Sequence, residues 1–216
     1  MVFGMTWGRA MHEFVEQLAK DERLRSLSFQ NVKVVPFLGT PGAIQSDSWN
    51  TTTYSNTLAT KVGNLLHCAS YNLSAPMYVE GTKEKELIES IDEIAKVLHM
   101  AETADIALIG IGSMQDDSSI IKAEIRTKEE YKELVRKGAV GEIVGRIYDK
   151  NGQTVDEDLK RKMVGISLDK IAKIPVRVGM SYGKDKIEAI KGAIAGGLVN
   201  VLVTDVPTAE LLLKII

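Results

Sequence analysis

Residues 105–112 read Asp-Ile-Ala-Leu-Ile-Gly-Ile-Gly, an unbroken apolar run with a glycine exit. A strand that is apolar on both faces needs cover on both faces. That is the situation inside a parallel sheet with helices above and below it. Residues 174–180 form a second apolar strand that runs into a glycine-bearing turn, and residues 199–203 read as the last buried strand.

The segments between these strands carry a helical period. Met11, Phe14, Val15 and Leu18 share one face, and the charged run 20–25 ends that helix. Residues 51–67 place Tyr54, Leu58, Val62, Leu65 and Leu66 together, and residues 83–100 place Leu87, Ile91, Ile94 and Leu98 together. Thr127 and Glu130 make a capping box for a helix over 127–137 that stops at Gly138. Ile187, Ile190 and Ile194 face one way, and Asp205 can cap a last helix over 209–214. Short strands are expected at 2–6, closed by Trp7-Gly8, and at 32–38. Residues 43–50 read as loop, and residues 71–73 as an extended piece ending before Pro76. Residues 141–148 alternate into the turn signal Asp149-Lys150-Asn151-Gly152. The stretch 148–165 breaks the rhythm and reads as a small excursion over one edge of a site. Strands alternating with amphipathic helices indicate an α/β fold: a Rossmann-like, doubly wound, mostly parallel sheet with helices on both faces. No repeat or linker divides residues 1–216.

In such sheets ligands bind outside the carboxyl ends of the strands. Four loops qualify: 39–42, 112–119, the Asp149 turn, and 180–186, with Trp7-Gly8 beside them. Gly39-Thr40-Pro41-Gly42 could cradle a phosphate on backbone N–H groups, or be an ordinary turn. It lacks the Gly-Lys-[Ser/Thr] ending of a P-loop, and Gly110-Ile111-Gly112 lacks the third glycine of a dinucleotide fingerprint. Asn56 lies one turn into the following helix, within reach of a ligand. Gly112 and Ser113 follow the central strand. Ser181 and Gly183 precede Lys186, which would stand in the first turn of a helix. A cation is unfavourable there unless an anion joins it. Asp149 could accept hydrogen bonds from sugar hydroxyls, or serve only as an Asx-turn residue.

The rest of the composition narrows the function. The chain is 44% apolar and 26% charged, with a net charge of −2, so no global field draws it to nucleic acid or membrane. Cys68 is the one cysteine and reads as a buried thiol, so no internal disulfide forms. His12, His67 and His99 fall in helices away from the strand ends and make neither a metal set nor a triad. No apolar run reaches the roughly 18 residues of a membrane span, and no signal peptide opens the chain. A soluble cytoplasmic protein without cofactor or metal is expected. A strand starting almost at residue 1 suggests an upstream part. An acid/base pair is not evident in the loops, so binding without turnover is favoured.

Several segments, in order, resemble one family. They are Trp7-Gly8 after a strand, Val34-Val35-Pro36 before a glycine loop, and Leu73-Ser74-Ala75-Pro76. Residues 105–112 follow, then Gly138-Ala139-Val140-Gly141-Glu142-Ile143 with Tyr148-Asp149 and Gly152. Gly183-Lys184-Asp185-Lys186 and Asn200-Val201-Leu202-Val203-Thr204-Asp205 complete the set. Together they resemble the C-terminal effector-binding domain of the SorC family (SorC/DeoR-type) of bacterial sugar-responsive transcriptional regulators. The resemblance implies a fold similar to sugar-phosphate isomerases of the glucosamine-6-phosphate deaminase type. It implies a sugar or phosphosugar effector, homodimers or homotetramers, and DNA contact only through an N-terminal helix-turn-helix absent from these residues. By position, Gly39, Thr40 and Lys186 would hold a phosphate or its equivalent, Asp149 hydroxyls, and Gly112-Ser113 the pocket wall. Tyr182 stands where a glycine is usual, which bears on the ligand rather than the fold. The competing expectation is a sugar-phosphate isomerase or deaminase with Asp116, Asp117 or Glu142 as base. A standalone periplasmic sugar binder is a third.

Overall fold

The computed structural model describes residues 1–27, 29–42 and 51–214; the loop expected at 43–50 lies outside the described residues. The chain opens with β1 (Val2–Met5), α1 (Arg9–Leu18), β2 (Lys33–Pro36), α2 (Ser55–Leu65) and β3 (Ala69–Ser70). Then come α3 (Thr82–Glu89), α4 (Asp92–Glu102), β4 (Ile106–Gly110), β5 (Gly112–Ser113), α5 (Ser119–Lys122) and α6 (Lys128–Arg136). A hairpin of β6 (Ala139–Ile143) and β7 (Arg146–Asp149) follows, with the short helices α7 (Glu157–Lys162) and α8 (Leu168–Ile171). The chain closes with β8 (Val176–Met180), α9 (Ile187–Ala195), β9 (Val201–Val203) and α10 (Val206–Leu213).

Six strands make one parallel sheet in the order β3-β2-β1-β4-β8-β9. The winding reverses between β1 and β4, so a crevice opens where their carboxyl ends part. One face is packed by a cluster that includes Phe37, Ile109, Tyr148 and Ile190. The other is packed by Met5, Met11, Val34 and Leu58 beneath α1 and α2. Removing a side chain such as Phe37 from water is worth about 1.5–3 kcal/mol. Gly4 makes that packing possible, because a Cβ there would sit 1.8 Å from the Phe37 ring. The second sheet is small and antiparallel, β5-β6-β7, and it sets Gly112 opposite Glu142.

Several features differ from expectation. Residues 83–100 are two helices. Ser90 Oγ donates to Leu87 O at 2.7 Å, Ile91 is extended, and Asp92-Glu93 begin a new first turn that suits the dipole. Leu87 and Ile91 are consequently exposed, and Ile94, Val97 and Ala101 form the buried face. Residues 141–148 are a hairpin, turned at Val144-Gly145 with φ of 55° and 69°. β9 is a sheet edge, and Val201 and Val203 are exposed rather than buried. The residues around Lys186 form a short 3₁₀ turn, Lys184–Lys186, and α9 starts only at Ile187. His67 stands just past α2 at φ 50°, and Cys68 is half-buried. The capping box at Thr127 and the Asp205 cap form as expected, with Asp205 Oδ1 accepting from Thr208 N at 3.0 Å.

Candidate functional site

A cavity of about 380 Å³ occupies the crevice at the ends of β1 and β4. Trp7 and Gly8 leave β1 into it, Gly110 to Ser113 leave β4, and Ser181, Tyr182, Asp185 and Lys186 close it from the β8 side. Glu142 reaches in from the antiparallel sheet.

Glu142 is buried, and its Oε1 accepts hydrogen bonds from Gly145 N and, at 3.5 Å, from Trp7 Nε1. Burial pushes its carboxyl up to about 6, although those two donors and the Lys186 charge oppose the rise. Gly112 leaves room for it: a Cβ at 112 would lie 2.8 Å from Glu142 Oε2. On the opposite wall Lys186 Nζ donates to Ser113 Oγ at 2.8 Å, and Ser113 Oγ donates to Asp185 Oδ2 at 3.3 Å. Asp185 Oδ2 also stands 3.6 Å from Lys186 Nζ. Ser181 Oγ is spent on Ile111 O at 3.1 Å, which ties the β4 and β8 exits together. Tyr182 is exposed at the mouth, and the Arg9–Asp117 pair spans the rim at 2.8 Å, holding the Asp117 carboxyl below its usual range.

The amino end of α1 also borders the cavity through Gly8, Arg9 and Ala10. Gly8 caps it at φ 110°, with no side-chain cap and no acidic residue in the first turn. The first helical bond is His12 N to Gly8 O, so the N–H groups of Arg9, Ala10 and Met11 have no intrahelical acceptor. The positive end of this ten-residue helix therefore faces the space between Glu142 and Lys186.

Of the expected site residues, the structure brings Gly112, Ser113, Ser181 and Lys186 together at the cavity. Gly183 supports it from behind: at φ 105° it donates its N–H to Thr208 Oγ1 at 2.8 Å. At the loop expected to cradle a phosphate, the amides of Gly39 and Thr40 are taken by carbonyls of the chain. Gly39 N donates to Val164 O at 3.1 Å, Thr40 N donates to Ala75 O at 2.9 Å, and Pro41 has no N–H to give. Asn56 is likewise spent. Its Nδ2 donates to Thr40 Oγ1 and Leu73 O, and its Oδ1 accepts from Leu73 N. Asp149 does not line the cavity; its Oδ1 accepts from Asn151 N and Gln153 N, both at 2.9 Å, as an Asx-turn residue does. Sequence reasoning undervalued Glu142, Trp7 and Asp185. The available signal for Glu142 was a lone carboxylate in the Gly/Val-rich run 138–145. Among the described residues no group of three or more His, Cys, Asp or Glu could hold a metal ion, and no helix is long and apolar enough to cross a membrane.

Residues 1–214 match the family model described as "Putative sugar-binding domain". The chain is 30% identical over 215 residues to the sorbitol operon regulator of Klebsiella pneumoniae, covering 99% of this chain and 65% of that protein. It is 35% identical over 159 residues to the transcriptional regulator LsrR of Escherichia coli O9:H4 (strain HS), covering 72% and 50%. The crystal structure of the full-length Klebsiella regulator SorC superposes with a TM-score of 0.86 at 31% identity, over 99% of this chain and 65% of that one. The chain thus spans between half and two thirds of the length of these relatives.

Proposed function

The chain belongs to the sugar-binding-domain family, and from that premise we propose that it is the effector-binding domain of a sugar-responsive transcriptional regulator. The observation that carries the reading is the crevice cavity, which sets a buried carboxylate, Glu142, across from a hydrogen-bonded lysine, Lys186. Glu142 is suited to accept hydrogen bonds from sugar hydroxyls. Lys186, Ser113 and the amino end of α1 are suited to an anionic or electron-rich end, such as a phosphate. Gly112 and Ser181 shape the walls.

The ligand acts by binding one arrangement of the whole regulator better than another, and the coupling can be no larger than that difference in affinity. DNA contact belongs to a separate helix-turn-helix, assembly is as a homodimer or homotetramer, and the work is done in the cytoplasm. A thermal-shift screen over free sugars and their phosphates tests the reading, since a ligand that binds only the native state raises Tm by mass action. A hit weakened by Glu142→Gln and by Lys186→Ala supports it. A hit indifferent to both substitutions moves the site elsewhere.

One observation favours a second reading. A buried carboxyl lifted to about 6 across a cavity from a lysine is also what a general base in a sugar-phosphate isomerase or deaminase requires. Product formed from a bound phosphosugar, and lost in Glu142→Gln, would replace the sensor reading with an enzymatic one.

A further inference from the structure

Glu142 and Lys186 line the same cavity, but among the described residues Glu142 forms no ion pair. For a buried carboxylate that needs a cause. Attraction between opposite charges grows as the dielectric falls, and a buried charge without a partner is costly. Both hydrogen bonds to Glu142, from Gly145 N and Trp7 Nε1, fall on Oε1, while Oε2 lies against Gly112.

Distance is not the cause. Gly112 is the register partner of Glu142, and the next residue, Ser113, accepts from Lys186 Nζ at 2.8 Å. The ammonium is thus held one residue along β5 from the carboxylate's neighbour, a step of about 3.8 Å between Cα atoms. A lysine's flexible four-carbon stem covers such a step. Nor does another cation occupy Glu142. Arg9 is paired with Asp117 at 2.8 Å on the rim. Arg146, which opens β7, donates through Nη2 to Met163 O at 3.2 Å and to Gly165 O at 3.1 Å. The other titratable groups facing Glu142 are Tyr131 and Tyr148, phenols that burial keeps neutral.

What sets Lys186 apart is its other neighbour. Asp185 Oδ2 stands 3.6 Å from Lys186 Nζ and accepts from Ser113 Oγ at 3.3 Å, so carboxylate, hydroxyl and ammonium form one cluster on the β8 wall. Ser113 is buried, and its single hydroxyl proton goes to Asp185, which turns a lone pair to the lysine. A neutral hydroxyl alone would lose the ammonium to a carboxylate, because hydrogen bonds to an ionised partner are roughly twice as strong. The 3₁₀ turn Lys184–Lys186 fixes the cluster in place, and Gly183 ties that turn to Thr208 Oγ1. We propose that Asp185 is a positioning residue: with Ser113 it keeps Lys186 on the β8 wall, so that Lys186 and Glu142 stand apart as two open poles of the cavity instead of neutralising each other across it. The separation stands on the geometry of the cavity; that it serves an effector rests on the sensor reading.

The test is the pH titration of the Glu142 carboxyl carbon, followed by ¹³C NMR in the full 216-residue chain and assigned by its loss in Glu142→Gln. No effector enters the measurement, so its result is separate from that of the thermal-shift screen. Asp185→Asn should release Lys186 to Glu142 and lower the midpoint by about one pH unit, a tenfold fall in proton affinity. Removing a negative charge lowers the midpoint by itself, so the deciding variant combines Asp185→Asn with Lys186→Met. Relative to Lys186→Met alone the fall should be absent, because no ammonium is left to move. Asp185→Glu keeps a carboxylate and should hold the midpoint near that of the unaltered chain. Ser113→Ala leaves Asp185 in place and should lower it less than Asp185→Asn does. If Asp185→Asn does not fold, Asp185→Ser carries the same comparison. A midpoint that Asp185→Asn leaves unchanged overturns the proposal. So does an equal fall in the Lys186→Met background, which makes Asp185 a distant charge and nothing more. A fall that Asp185→Glu shares also overturns it, leaving Asp185 as a residue of the turn.

Discussion

Two groups of glycine turns follow strands of the same sheet: one leads from β2, and the other borders the crevice at the ends of β1 and β4. After β2, the amides of Gly39 and Thr40 and the whole side-chain amide of Asn56 are consumed by residues 73–75 and 164. After β1 and β4, the turn at Gly8 leaves the first amides of α1 without helical acceptors, and Gly112 makes space for the Glu142 carboxylate. Both turns carry the residue types an anion site uses. What separates them is whether distant chain arrives to take the hydrogen bonds. A backbone N–H has one proton to donate, so one already paired with a carbonyl has little to gain from a ligand, whereas a carboxylate or an ammonium keeps capacity beyond its present bonds.

The strongest way to break this contrast is Asn56→Ala. The substitution removes three hydrogen bonds and strands the backbone N–H of Leu73, whose carbonyl keeps its bond from Ala75 N and whose side chain is fully buried. A loss of about 2–4 kcal/mol in urea unfolding is expected, with the affinity of the folded protein for its effector unchanged. An affinity that falls while stability holds would make the β2 turn a ligand site after all.

The opposite pattern is expected at Glu142, where stability depends on pH. The folded-state carboxyl titrates near 6, above its ordinary 4.5, so the folded protein holds the proton more tightly than the unfolded chain does. Stability is therefore highest below the unfolded value, falls as pH rises between about 4.5 and 6, and levels off above. The drop is about 2 kcal/mol. Glu142→Gln should flatten that slope in unfolding curves taken at pH 4.5 and 7, while weakening the effector. A slope that survives the substitution assigns the titration to another group. In the sensor reading, Lys186→Ala should cost phosphosugar affinity about tenfold, or 1.4 kcal/mol, with little change in Tm. Calorimetry returning the unaltered affinity would remove Lys186 from the site.

The division between what local pattern reveals and what it hides follows the same physics. Parallel strands and capped helices were legible because their causes are local: the run at 106–111, the Thr127–Glu130 box, and Asp205 ahead of α10. The exposure of Val201 and Val203 was not, because the burial of an apolar strand depends on its place in the sheet order, and β9 lies at the edge. Nor was the hairpin. Val144 adopts a positive φ that a β-branched residue rarely takes, so Gly145 alone stood for a turn there. That one turn carries Glu142 to the cavity and Arg146 behind it, so the sequence could offer Glu142 as a possible base but could not place it.

Asp149 tests the contrast at its weakest point. It carries the side chain expected to read sugar hydroxyls, and it stands at the end of the strand that Arg146 begins. Its carboxylate already accepts from Asn151 N and Gln153 N, and it closes the turn that brings Gly152 against Gly196, where a Cβ at 152 would come within 2.5 Å of the Gly196 Cα. Asp149→Ala should therefore cost about 1 kcal/mol of stability through the lost turn bonds and leave effector affinity where it was. Asp149→Asn keeps an acceptor in place and should recover most of that loss. If both variants instead bind the effector at least tenfold more weakly with Tm unchanged, a carboxylate outside the crevice cavity would have recognised a ligand, and the cavity would no longer mark the site.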